Sequence, residues 1–218
     1  PNSSFPNGLP NPLVKKNQKE TRDAVIRHKA DLGVAFDGDF DRCFFFDETG
    51  AFISGEYVIG LISSLFVEKE PNSAIIHDPR VVLNIRDIVG RKGGRAIQAK
   101  TGHAFVKRAM RKENAIYGGE LSAHHYFRDF YYCDSGLIPF LLMLELLGKQ
   151  KNHLSDLVRG MERKFPSSGE ISFTIEQKEQ AITEILNLYG PSALKIENMD
   201  GLSLEFTQWR FINERRSS

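Results

Sequence analysis

The feature that most constrains the fold is a regular alternation of helix-like and strand-like segments that begins after Gly55. Segments with apolar residues at helical spacing are separated by short apolar runs, and one of the helices ends at Gly93 and Gly94. Strands that alternate with helices of this length are typical of βαβ units and of a parallel or mostly parallel sheet. The sequence therefore predicts an α/β fold, with helices at 56–69, 81–91 and 105–112 and strands at 73–77, 95–99 and 115–117.

Further elements are predicted on both sides of this α/β region. The turn-forming residues at 47–50 favour a hairpin, and residues 166–169 look like a linker. Beyond the linker strands outnumber helices, so the tail is predicted to be a separate α+β unit. The predicted helices are 20–29, 135–147, 154–163 and 177–189, and the predicted strands are 32–36, 42–46, 51–53, 170–175, 195–197, 202–206 and 209–212.

Charge and composition exclude several classes of function. The 29 basic and 28 acidic residues leave a net charge of +1, so no charge imbalance favours nucleic acid or anionic lipid. The basic side chains of the helix at 105–112, including Lys107, are interpreted as a solvated face. The longest apolar stretch is too short for a membrane helix, and neither of the two cysteines lies in a zinc motif. We expect a cytoplasmic protein with reduced thiols and with neither nucleic-acid nor membrane partners.

An acidic loop follows the predicted strand at 32–36. Asp37, Asp39 and Asp41 alternate along it, so in an extended backbone their carboxylates lie on one side and can converge on a hard cation. Arg42 beside them could bind a phosphate. An acidic solvated loop is the alternative. A calcium loop that ends at Glu48 fits poorly because its sixth position, which needs glycine, is Arg42. Three carboxylates without a complete cage suit Mg²⁺ better than Ca²⁺.

A second polar loop lies within the aromatic stretch 118–134. Glu120, Ser122 and His124 alternate and can present an acceptor, a hydroxyl and an imidazole on one side, which suits a polyol. We expect Glu120 and Ser122 to recognise a ligand rather than to support the fold. A capped hairpin loop with its histidines in the core is the alternative. His103, before a predicted helix, could be a proton donor, a phosphate ligand or a cap-region residue.

In this order, these segments resemble the α-D-phosphohexomutase family, and most closely its bacterial phosphomannomutase/phosphoglucomutase branch. The Pro/Asn-rich start is similar to that family's second domain, and residues 37–42 resemble its magnesium loop. Residues 100–103 and 119–127 resemble a loop of the third domain and its sugar-recognition loop, with Leu121 where methionine is usual. The resemblance implies a mixed, mostly parallel sheet with helices on both faces, followed by a partial α+β domain. It divides the chain into 1–53, 54–165 and 166–218.

The resemblance also implies a reaction and the residues that carry it. Family members are isomerases that move a phosphoryl group between the 1- and 6-hydroxyls of a hexose, through a phosphoserine and a hexose 1,6-bisphosphate. The partners would be mannose or glucose 1- and 6-phosphates, and the cofactor Mg²⁺. The implied metal ligands are Asp37, Asp39 and Asp41; the catalytic residues are His103 and Arg42; the substrate-binding residues are Glu120, Ser122, His124, Arg80, Arg216 and Ser218.

Departures from the family pattern leave two alternatives open. The Ser-His-Asn-Pro loop that carries the phosphoserine does not occur in this sequence, and the terminal phosphate loop stops at Arg216-Ser217-Ser218. We therefore expect the 218-residue chain by itself to be inactive and to self-associate through apolar surface. A non-catalytic module that binds sugar phosphate or metal is one alternative. A phosphoglucosamine mutase is the other, disfavoured because that branch usually has glutamine where Leu121 stands.

Overall fold

The computed structural model describes residues 5, 8, 10–149 and 151–213. Its elements group into three sheets, and none of the helices within these residues is long and apolar enough to cross a membrane. The helices are α1 (Lys19–His28), α2 (Gly55–Lys69), α3 (Leu83–Arg91), α4 (His103–Glu113), α5 (Leu137–Lys149), α6 (Leu154–Lys164) and α7 (Lys178–Tyr189). The strands are β1 (Leu32–Phe36), β2 (Cys43–Asp47), β3 (Phe52–Ile53), β4 (Ala74–His77), β5 (Arg95–Gln98), β6 (Tyr117–Gly119), β7 (His125–Phe127), β8 (Cys133–Asp134), β9 (Lys195–Glu197), β10 (Leu202–Glu205) and β11 (Arg210–Asn213).

The first sheet is an antiparallel meander of β1, β2 and β3. The β2–β3 hairpin is the predicted one, and Asp47 fixes its turn by accepting hydrogen bonds from the Thr49 N–H at 2.9 Å and the Ala51 N–H at 3.0 Å. Gly50 supplies the positive φ of 78° that closes the turn. At the other end of β2, the pairing of Phe36 with Cys43 forces the six residues between them into a compact loop.

The central sheet has five strands in the order β5-β4-β6-β7-β8 and is mixed, as predicted. Parallel pairing is confined to β4 with its neighbours β5 and β6. The two remaining pairings are antiparallel, because β7 and β8 follow the preceding strand through short connections rather than through α-helical crossovers. Parallel pairing thus accounts for half of the strand pairs in this sheet. This share is smaller than in the mostly parallel sheet that the sequence predicts.

Helices cover both faces of this sheet, as expected. Ile75 of β4 points to one face, where it packs with α2, α3, α5 and α6, while its neighbours Ala74 and Ile76 point to the other. There α4 closes the smaller core through Val106 and Met110. All residues of the three central strands β4, β6 and β7 are buried, which makes this part of the sheet a rigid base for the loops at its carboxyl edge.

The third sheet joins β9, β10 and β11 in a small α+β unit. Arg86 of α3 holds this unit through an ion pair in which its Nη1 donates to both carboxylate oxygens of Glu205, at 2.8 and 2.9 Å. The predicted strand at 170–175 is wrong. Within the described residues that segment pairs with no strand, and it is exposed along its length, including Phe173 at 77%. Its apolar residues alternate as in a strand, but the segment has no neighbouring strand in the described chain with which to form the hydrogen bonds of a sheet.

Replacing Gly136 by alanine should destabilise the fold at the acidic loop. Its N–H donates to the Phe40 carbonyl oxygen at 3.2 Å, and a Cβ there would lie 2.6 Å from that oxygen and 3.1 Å from the Arg42 carbonyl oxygen. We expect Gly136→Ala to cost about 1–3 kcal/mol in urea unfolding. Gly148→Ala is the matched control: it lies in α5 with open space around it and should gain about 0.5–1 kcal/mol. Equal effects of the two substitutions would contradict this close approach.

Candidate functional site

The acidic loop between β1 and β2 brings its three carboxylates together. Phe40 takes the left-handed conformation at φ 66° and stacks on Phe36 with ring centroids 5.2 Å apart, which turns the chain between the aspartates. As a result, oxygens of Asp37, Asp39 and Asp41 lie within 4.8 Å of one another. The loop is therefore a group of converging oxygen ligands that could hold a hard cation.

Arg42 neutralises the buried end of this loop. Its Nε donates to Asp37 Oδ2 at 2.7 Å and its backbone N–H donates to Oδ1 at 3.2 Å, while Asp37 is only 3% exposed. Burial opposes ionisation of Asp37, but the hydrogen bonds from Arg42 outweigh it and lower the pKa of this carboxyl. The pKa of Asp41 is raised, because burial and the neighbouring charges of Asp37 and Asp39 outweigh the attraction of His124.

The calcium-loop alternative does not fit the structure. Glu48, which would be its twelfth residue, accepts hydrogen bonds from the Ser155 N–H at 3.2 Å and from the Ser155 hydroxyl. Its carboxylate therefore ties the β2–β3 turn to α6 and does not join the three aspartates. The cluster is limited to the ligands of the β1–β2 loop.

The second predicted loop is the turn between β6 and β7, and Glu120 is its buried centre. Glu120 is 1% exposed; its Oε1 accepts from the Gly102 N–H at 2.6 Å and its Oε2 from the Tyr126 hydroxyl at 2.8 Å. The main chain closes around it, because the Glu120 N–H donates to the His124 carbonyl at 3.0 Å. The carboxylate thus connects the start of α4 to β7. The sequence did not indicate this structural role of Glu120.

We therefore expect Glu120→Gln to lower the free energy of unfolding by about 1–3 kcal/mol, since it weakens charge-assisted hydrogen bonds in the interior. This differs from the sequence-based expectation that the residue does not support the fold. Urea unfolding of the purified chain measures the effect. Glu68→Gln is the control, because the Glu68 side chain is 69% exposed and makes a surface ion pair with Lys92, so its loss should leave the free energy of unfolding nearly unchanged. Unchanged stability of Glu120→Gln would restore the original expectation.

The two loops meet at His124. Arg42 and His124 form an antiparallel backbone bridge, and His124 Nε2 lies 3.4 Å from Asp41 Oδ2. On its other side, His124 Nδ1 lies 3.0 Å from the Ser122 hydroxyl and 3.4 Å from Glu120 Oε2. Burial lowers the pKa of His124 and outweighs the opposing carboxylates, which favours its neutral form. The predicted residues of both loops therefore share one site.

His103 reaches the same site from α4. It is the first residue of that helix, after Gly102 at φ 113°, and its ring lies edge-on to the His124 ring with centroids 4.5 Å apart. His103 Nδ1 lies 3.4 Å from Asp134 Oδ2. The structure thus places an imidazole at the mouth of the site, as a proton donor or phosphate ligand would require.

Two residues of this site were missed from the sequence. The first is Asp134 of β8, which contacts His103. The second is Lys107, whose Nζ lies 3.2 Å from Asp134 Oδ1 and 5.7 Å from the centroid of the Tyr126 ring. The interpretation of Lys107 as part of a solvated face is therefore wrong. Its position one turn after His103 in α4 is the signal that could have identified it, because residues four apart share a helix face.

Arg80 lies on the far side of the β6–β7 turn. Its Nη2 donates to Asp78 Oδ2 at 2.9 Å, and the same oxygen accepts from the Leu121 N–H at 2.7 Å. Arg80 is thus connected to the β6–β7 turn through Asp78. The predicted substrate-binding residues Arg216 and Ser218 lie outside the described residues.

The comparisons with known proteins agree on one family. The family model of the phosphoglucomutase/phosphomannomutase alpha/beta/alpha domain III matches residues 54–165, and that of domain II matches residues 1–50. The chain is 53% identical over 211 residues to the phosphomannomutase of Escherichia coli strain K12, which covers 97% of this chain and 46% of that protein. The chain thus spans about half the length of the curated relatives that it matches.

Solved structures show the same likeness. A phosphoglucomutase/phosphomannomutase family protein from Burkholderia thailandensis superposes with a TM-score of 0.81 at 26% identity, over 97% of this chain and 45% of that one. The Aspergillus fumigatus N-acetylphosphoglucosamine mutase, solved with GlcNAc-6P and magnesium, matches with a TM-score of 0.50 at 12% identity, over 78% of this chain and 45% of that one.

Proposed function

The chain belongs to the phosphoglucomutase/phosphomannomutase family, and from this membership we propose that it takes part in interconverting hexose 1-phosphates and hexose 6-phosphates. The observation that carries the proposal is the junction of the two loops: the Arg42–His124 bridge sets the acidic cluster beside the Glu120 loop. A cluster that binds a cation and a loop that suits a polyol are the two parts that phosphoryl transfer to a sugar hydroxyl requires.

The acidic loop is proposed to hold Mg²⁺ through Asp37, Asp39 and Asp41. The residues fit the ion, because their oxygens lie within 4.8 Å of one another and, among the residues described, the buried Asp41 Oδ1 has no hydrogen-bond partner. A bound Mg²⁺ would neutralise charge on phosphate oxygens during transfer. Arg42 is proposed to hold Asp37 in place and to contact the phosphate.

The sugar is proposed to lie against the β6–β7 turn. Ser122 and His124 offer a hydroxyl and an imidazole there. Glu120 is proposed to act on sugar recognition through the turn that it fixes by its hydrogen bonds to Gly102 and Tyr126. His103 is proposed as the acid/base that exchanges a proton with the reacting hydroxyl. Arg80 is proposed to orient the ligand through the Asp78 network. Arg216 and Ser218 keep their proposed role in binding the second phosphate.

The test is turnover by a chimera in which this chain replaces the matched segment of the Escherichia coli phosphomannomutase. We expect the chimera to convert both mannose 1-phosphate and glucose 1-phosphate, because the two sugars differ only at the 2-position and the loop resembles that of the dual-specificity branch. The Escherichia coli remainder without this segment is the blank. Turnover of glucosamine phosphate alone would favour the phosphoglucosamine mutase alternative. A folded chimera that binds sugar phosphate without turnover would favour a non-catalytic module.

Self-association is also proposed, on the evidence of exposed apolar side chains. Leu137, Leu141 and Leu144 form one stripe of α5 and are 57%, 53% and 45% exposed. A mass that rises with concentration in light scattering, and that rises less in Leu141→Glu, would support this.

Two sequence predictions stay proposals: the division at 53/54 and 165/166, and a cytoplasmic location, which the free thiols of Cys43 and Cys133 support.

A further inference from the structure

The carboxylate of Asp134 lies against His103, the residue proposed as the acid/base. Its Oδ2 is 3.4 Å from His103 Nδ1, and the Asp134 side chain is 10% exposed whereas that of His103 is 45% exposed. In the part of the chain that the structure describes, this buried Oδ2 has no hydrogen-bond partner. A buried carboxylate oxygen without a donor is costly, so the neighbouring Nδ1 is the group placed to satisfy it.

The Asp134 carboxylate is itself held from two sides. Its other oxygen, Oδ1, lies 3.2 Å from the Nζ of Lys107, which follows His103 by one turn of α4. The backbone of Asp134 pairs with that of Tyr126, where β8 joins β7 in the central sheet. Asp134 is therefore fixed to a strand and tied to a helix, and such elements hold a group more precisely than a loop does.

The His103 ring is packed so that its Nδ1 faces this carboxylate. The ring is edge-on to that of His124, with centroids 4.5 Å apart, and to that of Tyr126, with centroids 5.5 Å apart. These contacts restrict rotation of the imidazole. Because Nδ1 and Nε2 lie on opposite sides of the ring, Nε2 points away from the buried Asp134 and toward the exposed side of the imidazole.

We propose that Asp134 is the positioning residue of His103: it accepts a hydrogen bond from Nδ1–H and so leaves the Nε2 lone pair for the proton of the reacting sugar hydroxyl. This inference rests on the proposed function. When Nε2 takes that proton the ring becomes an imidazolium, whose charge the Asp134 carboxylate stabilises. In the reverse direction Nε2 returns the proton to the hydroxyl oxygen. The contact of 3.4 Å suits this role, because catalytic hydrogen bonds are often long before a ligand is bound.

A structural ion pair with Lys107 is the alternative role for Asp134. It accounts for Oδ1 but leaves the buried Oδ2 without a donor. If this pair were the whole role, a neutral residue at either position would remove the same interaction and have the same effect. In the positioning role, the tautomer of His103 depends on Asp134 and not on Lys107.

The first measurement is the tautomer of His103 in the isotope-labelled 218-residue chain, read from long-range proton–nitrogen spectra at about pH 8.5, where free imidazole is neutral. His103→Ala identifies the signals. We expect the proton on Nδ1 in the unsubstituted chain and in Lys107→Met. We expect it on Nε2 in Asp134→Asn, because the asparagine amide donates to Nδ1 instead.

The spectrum of the unsubstituted chain decides the question even where Asp134→Asn fails to fold, which circular dichroism detects. A proton on His103 Nε2 in the unsubstituted chain would overturn the proposal. So would a tautomer that does not change in a folded Asp134→Asn variant.

The second measurement is turnover of mannose 1-phosphate by the Escherichia coli chimera. Asp134→Asn should lower kcat at least about tenfold and keep KM within about twofold, because it impairs proton transfer and not substrate binding. In a His103→Ala background the same substitution should lower kcat by less than about twofold, since a positioning residue acts only through the group that it positions. Asp129→Asn is the matched control: its side chain is 85% exposed, and kcat should stay unchanged.

The two measurements separate this inference from the proposed function. A chimera without turnover would contradict the proposed function, while the tautomer of His103 would still decide the role of Asp134. In an active chimera, additive losses from Asp134→Asn and His103→Ala would overturn the positioning role. Equal losses of kcat from Asp134→Asn and Lys107→Met would overturn it as well, in favour of the structural ion pair.

Discussion

In the Escherichia coli chimera, Asp39→Asn should lower kcat/KM for mannose 1-phosphate at least about 100-fold, the scale of one lost electrostatic contact to the transferring group. Asp39 is the exposed member of the acidic cluster, whereas Asp37 is buried against Arg42. Substitution at 39 therefore removes a proposed Mg²⁺ ligand without opening the interior. We expect the melting temperature of the chimera to stay unchanged and the Mg²⁺ affinity measured by calorimetry to fall.

Asp31→Asn is the matched control for this prediction. Asp31 is an exposed aspartate just before β1, outside the cluster of Asp37, Asp39 and Asp41. Its replacement changes the net charge equally and should leave turnover and Mg²⁺ affinity within about twofold. If the Asp39→Asn chimera converted mannose 1-phosphate at the normal rate, the acidic loop would be a solvated surface loop and the proposed magnesium site would be wrong.

The acidic loop could be predicted from the sequence because its residues are contiguous. Asp37 to Arg42 follow a strand directly, so backbone geometry alone brings their side chains together. The Asp134–Lys107 pair could not be predicted in the same way, because it depends on β8 pairing with β7 beside α4. The second role of Glu120 was hidden for the same reason: its partners, Gly102 and Tyr126, lie on different elements.

The errors in secondary structure have a related cause. β7 and β8 have three and two residues, too short for a period of two to be recognised in an aromatic stretch. Conversely, residues 170–175 alternate as a strand does, yet no partner strand pairs with them in the part of the chain that is described. Strand formation depends on a neighbour, which local sequence does not specify.

Lowering the pH from 6.5 to about 4 should destabilise the fold through His77. Burial lowers the pKa of His77 to about 4, because its ring is completely enclosed at the end of β4. The carbonyl oxygen and the charge of Asp78 oppose this shift, while Arg86 and Arg210 add to it, and Nδ1 lies 2.9 Å from the Asp78 carbonyl oxygen. The unfolded chain therefore takes up a proton near its ordinary pKa of about 6.5, but the folded chain does not.

The sign follows from linkage: a depressed folded pKa gives stability that is complete above pH 6.5 and is lost as the pH falls toward 4. The loss from this one group is about 1.4 kcal/mol per pH unit, or about 3 kcal/mol across the interval. Asparagine at position 77 keeps a donor for the Asp78 carbonyl but does not titrate. We therefore measure the free energy of unfolding in urea at pH 7, 6 and 5, and expect its dependence on pH to be weaker in His77→Asn by the equivalent of about one proton taken up on unfolding. His28→Gln, at an exposed histidine, should leave the slope unchanged. If the free energy of unfolding depended on pH equally in His77→Asn and in the unsubstituted chain, the prediction would be wrong. His77 would then be protonated in the folded state, with the edge of β4 open to water.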